Sequence, residues 1–408
     1  MRIGHSMMDS GPPQISPSPQ SISRLHLSVL FGSTMAYVGI ALPFFPVFLA
    51  GKGLSDSEIS LVIAVSLVAR LLANPVVTAI ADLRAGSACT LAICTIVAAL
   101  LSAMLMVVSG FWQVIVLVGF LSVAQGSMMP LVDAITLGEI RRRTEAHEPP
   151  LDYGRLRVWG SGTVFAMMLA GGALVSVLPG DGIALLLALA ALAPVLPALA
   201  LARRSLPERA QKQEHQDAGG LASGMGLLAL LILSSGLVQA SHAMYYSFSS
   251  LHWKAQGLSP AFTGSAWALG VACEIVFFIV AGRMFGGASS AVRFLMIGAL
   301  GSVVRWAAMS VDPSPLVLLG LQSLHALTFA ATHLGSVYLL SSMAGPGRRA
   351  QVQGWLSATT SCGLALATTG VGQFYAETGE QAYWAMAAMA GAGLAGFTIL
   401  AVAARPNR

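Results

Sequence analysis

The sequence predicts an all-α membrane protein, with twelve transmembrane helices in two pseudo-symmetric six-helix bundles. Three observations predict it. The first is composition: 408 residues, 56% apolar and only 10% charged, where soluble proteins carry about 25% charged residues. The second is that apolar stretches near 20 residues, the length that crosses a bilayer core, recur twelve times between short polar breaks. The third is an internal echo. Gly53-Leu54-Ser55 returns as Gly257-Leu258-Ser259, offset by 204 residues (257 − 53), half the chain length and at the same place between two spans. Such a composition excludes a soluble enzyme, a disordered protein and a secreted disulfide scaffold.

In chain order, residues 1–25 read as a disordered tail, since Pro12, Pro13, Pro17 and Pro19 stand among serines, and no signal peptide is evident there. Spans follow at about 26–50, 58–81, 88–108, 112–138, 154–177 and 183–201, forming a first bundle over residues 26–202. The polar stretch 203–220 is too short to fold alone and reads as a linker. Spans at about 221–251, 261–281, 292–310, 316–342, 351–374 and 382–404 form the second bundle, residues 221–408. Pro179-Gly180-Asp181-Gly182 and Asp312-Pro313-Ser314-Pro315 mark two of the breaks.

Positive charge sets the expected orientation. With both termini on one side, as an even span count requires, that side receives 17 of the 22 Lys and Arg residues. The other side receives Lys52 and Lys254, and three arginines stay inside spans. Loops rich in Lys and Arg stay cytoplasmic, so both termini are expected in the cytoplasm. Only three of the 22 are Lys, a bias typical of GC-rich bacterial genomes. The basic residues form no single patch, so the net charge of +5 does not imply a nucleic-acid partner. Cys89, Cys94, Cys273 and Cys362 lie in apolar segments without metal-binding spacing and read as small core residues.

Ionisable groups at bilayer depth cost several kcal/mol unless paired or hydrated, so Arg70, Asp133, Arg157, Glu274 and Arg305 are the candidates for function. Arg70 lies twelve residues from Asp82, roughly 18 Å of helix, too far to reach the surface easily. The 204-residue offset maps Arg70 onto Glu274, which points to a role in the transport pathway, with a structural ion pair holding the bundles together as the alternative. Arg155 is expected to reach the cytoplasmic surface along its stem. Arg157 sits two residues deeper and about 200° around the helix. His242, His325 and His333 are intramembrane histidines that could be packing groups. Gln322, His325, Thr328 and Thr332 nonetheless make a polar stripe, and His242 with Tyr245 and Tyr246 a face suited to a cavity. No GxxxxGK[ST] phosphate loop occurs, which excludes ATP-driven transport by this chain alone. Trp159-Gly160-Ser161-Gly162 lacks the leading glycine of a serine-nucleophile motif.

These residues resemble a known family. Pro130-Leu131-Val132-Asp133-Ala134, Tyr153-Gly154-Arg155-Leu156-Arg157 with Gly160, Ser302-Val303-Val304-Arg305 and Leu324-His325 resemble segments of the major facilitator superfamily, in the branch holding lactose permease and the phenylpropionate-type permeases. The resemblance covers the chain after residue 25. It implies substrate binding by Asp133 and Arg157, a coupling arginine at Arg305 and a coupling histidine at His325. Two departures stand out. The acid that lactose permease carries three residues after that histidine is Thr328 here, and Glu274 is displaced along its span. Ser241-His242 and Cys273-Glu274 follow the phenylpropionate-type style.

The expected function is secondary transport by alternating access: proton-coupled symport of a small polar organic solute (an aromatic carboxylate, a sugar or a nucleoside) into a bacterial cell. Asp133, Arg157, Arg305 and His325 are the expected substrate-binding residues, and Glu274, His325 and Arg70 the proton-coupling ones. The energy source is the proton gradient, with no cofactor and no metal. The partners are solute, protons and the bilayer of the inner membrane, and a monomer suffices. Proton-coupled efflux and a non-transporting solute sensor are the alternatives; a membrane enzyme is the weakest, since no nucleophile–base pair is visible.

Overall fold

A computed structural model describes residues 21–178, 182–203, 225–284, 288–344 and 348–403. The expected tail before residue 21 and nearly all of the expected linker lie outside them. Among the described residues every regular element is helical. In order these are α1 (Arg24–Gly51), α2 (Asp56–Ile80), α3 (Ser87–Met104), α4 (Phe111–Glu145), α5 (Tyr153–Val177) and α6 (Gly182–Ala202). Then come α7 (Met225–Ala255), α8 (Pro260–Met284), α9 (Ala288–Met309), α10 (Pro315–Met343), α11 (Arg349–Thr378) and α12 (Tyr383–Ala403). The apolar stretch Gln351–Ala403 is two crossings. Thr359 and Gly363 of α11 meet Gly236 and Ala240 of α7 in ascending order, while Gly393 and Gly396 of α12 meet Val238 and Ser234 in descending order. The chain therefore reverses at Gly379, where φ is 53°.

The sequence echo is a structural repeat. Gly53 and Gly257 both adopt the left-handed backbone, φ 83° and 81°, which glycine reaches without a Cβ clash. Gly53 N donates to Ala50 O and Leu54 N to Leu49 O; 204 residues on, Gly257 N donates to Lys254 O and Leu258 N to Trp253 O. Ser55 Oγ then caps α2 by accepting from Glu58 N, as Ser259 Oγ accepts from Phe262 N at the start of α8. Packing repeats as well. Within the first half α1 lies on α5, α2 on α4 and α3 on α6; within the second α7 lies on α11, α8 on α10 and α9 on α12.

Three elements depart from the expected spans. The helix expected to stop near residue 138 continues to Glu145. There Glu139 accepts from both Arg142 and Arg143 at 2.8–2.9 Å, and Arg143 Nη2 donates to Ile22 O ahead of α1. Beyond the helix end, hydrogen bonds from Arg142 hold the Glu148 carboxyl below the usual carboxylate range. The other two departures are interruptions: α7 breaks at Ser241–His242, and α10 breaks at residues 324–325 and continues through one wide turn, Ala326–Ala331. Single wide turns of this kind occur mostly at functional sites.

The halves meet at the end opposite the chain termini. There α2 packs on α11 and α5 on α8. Ser57 Oγ donates to Gly372 O at 3.1 Å. Gly172 and Gly264 let α5 and α8 touch backbone to backbone: a Cβ on Gly172 would stand 2.7 Å from Pro260 O. At the same end His252 Nε2 and Gln256 Nε2 both donate to Asp312 Oδ1 at 2.7 Å, clasping α7 to the α9–α10 turn. Glu380 joins His252 and Asp312, so one ring nitrogen and two carboxylate oxygens lie within 4.8 Å of one another.

Candidate functional site

The interruptions of α7 and α10 face each other around Arg305 of α9. This side chain is fully enclosed, with 0% exposure. Its Nη2 donates to Gln322 Oε1 at 2.7 Å, and its Nη1 reaches Thr328 Oγ1 and His325 Nδ1, both at 3.2 Å. The guanidinium lies 4.7 Å from the ring centres of both Tyr245 and Trp306, two rings that stand side by side with centres 6.1 Å apart, and aromatic faces so placed stabilise a desolvated cation.

Chemistry fixes the protons in this cluster. Arginine only donates, so His325 Nδ1 accepts and its Nε2 carries the hydrogen. That Nε2 faces Glu274 Oε2 of α8 at 3.6 Å. Similarly, the Gln239 carbonyl can only accept, so His242 Nδ1 donates to it at 3.1 Å. His242 Nε2 is then an acceptor for the Thr328 hydroxyl, 3.1 Å away. Thr328 thus takes a hydrogen bond from Arg305 and passes one to His242. Thr328 thereby ties His242 of α7 to Arg305 of α9.

A second cluster lies toward the termini. Tyr153 donates to Asp133 Oδ1 at 2.8 Å and accepts from Arg157 Nη1 at 2.8 Å, while Arg157 Nη1 and Asp133 Oδ2 are 3.5 Å apart. The Arg157 side chain is 53% exposed. Arg155 points away, 85% exposed and beside Asp152 at 3.5 Å. The structure therefore joins Asp133 to Arg157, and Arg305 to His325 and Glu274.

Arg70 stands apart. It makes no ion pair with Glu274 in this conformation; among the described residues Glu274 pairs with His325. Arg305, expected to bind substrate, is fully enclosed, with the buried Tyr245 and His325 against it. Sequence reasoning gave no role to Trp306, and it named Gln322 only as part of a polar stripe and Tyr153 only as part of a motif. Trp306 follows Arg305 directly, a signal that could have been read; the Tyr153–Asp133 contact spans two helices and had none.

Two bundles joined around buried ionisable groups, with broken helices at the centre, define a multi-pass membrane transporter rather than an enzyme. Residues 25–386 match the MFS_1-like family, and the chain belongs to that family of major facilitator transporters. It is 30% identical over 361 residues to a probable 3-phenylpropionic acid transporter of Escherichia coli (strain K12), covering 86% of this chain and 91% of that one. It is 27% identical over 282 residues to a maltose permease of Geobacillus stearothermophilus, covering 67% and 68%. Among solved structures, the nucleoside transporter NupG superposes with a TM-score of 0.76 at 16% identity, covering 94% of this chain and 99% of that one.

Proposed function

We propose that this protein is a proton-coupled symporter that brings a small organic solute, an aromatic carboxylate ahead of a sugar or nucleoside, across the bacterial inner membrane by alternating access. The observation that carries this reading is the Arg305–His325–Glu274 chain. Glu274 is the one carboxylate in the cluster, tied through a single imidazole to a cation that is fully enclosed. Protonating Glu274 removes its charge and weakens the hold on His325, so occupancy by a proton changes the contacts between α8, α9 and α10. With the termini cytoplasmic, as the charge distribution expects, the closed end faces outward and the Asp133–Tyr153–Arg157 cluster faces the cytoplasm. Asp133 and Arg157 are read as solute-contacting, and Arg305 as the residue that positions His325. The name of the Escherichia coli relative supports the carboxylate class; those of maltose permease and NupG keep sugars and nucleosides in view.

The test is uptake into proteoliposomes with a panel of arenecarboxylates, sugars and nucleosides, with and without an inward proton gradient. Symport requires accumulation that collapses with a protonophore. Accumulation driven by a gradient of the opposite sense would establish efflux instead, and binding without flux a sensor.

A further inference from the structure

A cavity between the halves lies apart from both clusters and takes Arg70 as its charged wall. It has a volume of about 140 Å3 and is lined from α1, α2 and α4 by Tyr37, Phe45, Ser66, Arg70 and Gln125, and closed from the second half by Tyr246. A dry cavity of about 150 Å3 holds one benzene ring, so this one suits a single ring with a short substituent.

Its charge is unbalanced. Arg70 is exposed although it lies mid-span, and it lines this cavity. Among the described residues no carboxylate forms an ion pair with it, and the phenol of Tyr37 lines the same cavity. Its stem crosses α4 at Gly126, where a Cβ would stand 2.6 Å from Arg70 Cγ. Gln125, the preceding residue of α4, lines the same cavity, and its Nε2 is buried and lacks any hydrogen-bond partner. An unmatched cation and an unmatched amide donor therefore line one small chamber whose remaining polar groups are hydroxyls. Arg157 differs, because Asp133 already balances it. A bare arginine at this depth is costly, and an anion bound against it, bidentate to the guanidinium, removes that cost.

We infer that Arg70 and Gln125 form the anion-binding subsite of this transporter, holding the carboxylate of a solute whose ring lies among Tyr37, Phe45 and Tyr246. The inference rests on the reading of the chain as a carboxylate transporter and names where in it the carboxylate sits. It assigns Arg70 to the solute rather than to Glu274. Tyr246 stacks on His242, with ring centres 5.5 Å apart, so one side chain separates a bound solute from the proton-linked cluster.

The experiment measures binding of 3-phenylpropionate, benzoate and their primary amides to purified protein in nanodiscs, for wild type, Arg70→Gln and Gln125→Glu. Wild type should prefer each carboxylate to its amide by tenfold or more. Arg70→Gln should bring the two to parity with amide binding retained. Gln125→Glu keeps the Arg70 stem in place and matches its charge internally, so it should lose carboxylate binding in the same way even if Arg70→Gln fails to fold. Preference retained in Gln125→Glu overturns the subsite. Wild type that binds none of the carboxylates overturns the solute class and the subsite together, while gradient-driven uptake of another solute would leave proton-coupled transport standing.

Discussion

Arg305 Nη1 lies 3.2 Å from His325 Nδ1, and this contact dictates that the other ring nitrogen presents a hydrogen to Glu274. The same guanidinium serves Gln322 and Thr328, so one rigid fork sets the geometry of three side chains on α10. Lysine has the charge but not the fork. Arg305→Lys should therefore leave the protein folded and solute exchange measurable while lowering proton-driven accumulation at least tenfold. Accumulation at the wild-type level in Arg305→Lys vesicles would show that charge alone suffices and that the tautomer is set elsewhere.

Glu274→Gln removes the one titrating carboxylate of the cluster and keeps its shape. Accumulation against a gradient should be abolished, while counterflow of labelled against unlabelled solute continues at a rate within about a factor of three of wild type, since the solute path is left as it was. Loss of counterflow together with accumulation would make Glu274 structural.

Much of this organisation was legible in the residues, and the limits have physical causes. The Gly53/Gly257 echo could be read because a left-handed turn needs glycine, and both turns form with matching hydrogen bonds. The depth of Arg70 and Arg157 followed from helical rise alone. The break in α7 could not be read, because Gln239-Ala240-Ser241-His242 holds neither proline nor glycine. It arises where Ser241 Oγ donates to Val238 O at 2.6 Å and His242 Nδ1 to Gln239 O, side chains competing with the helix for its own carbonyls. The enclosure of Arg305 by Tyr245 was equally invisible, since α7 and α9 meet only through tertiary packing. The extension of α4 past residue 138 depends on Glu139 finding two arginines, a pairing that a hydropathy pattern does not contain.

Gly264 packs against Met168 O and the Gly172 backbone where the halves close. Gly264→Ala would overfill that contact, and overpacking costs about 1–3 kcal/mol. Because the strain exists only when this end is closed, the substitution should shift the population toward opening there. Cysteines placed near Ser57 or Gly372 should then react with a membrane-impermeant thiol reagent several-fold faster than in the parent. Unchanged labelling would mean that the helices slide past the added methyl without opening.

The cluster at the other end yields a test that separates two neighbouring arginines. Arg157 holds the Tyr153 hydroxyl at 2.8 Å while that hydroxyl donates to Asp133, so the three groups form one unit with donors left over on the guanidinium. Arg155, one helical step away on the opposite face, rests beside Asp152 in the open, where an exposed pair contributes little, roughly 0–1 kcal/mol. If Arg157 contacts solute, Arg157→Lys should lower binding about tenfold, near 1.4 kcal/mol, because a lysine cannot bond tyrosine and solute in one plane. Arg155→Lys should bind as wild type. Tyr153→Phe supplies the control for position: it leaves both charges and removes the hydroxyl between them, so it should weaken binding less than Arg157→Lys but more than Arg155→Lys. Isothermal titration on all three variants, each checked for an unchanged melting temperature, orders them. Equal binding by the 155 and 157 variants would mean that Arg157 only anchors α5 at the headgroups, and the solute path would then pass Asp133 without using it.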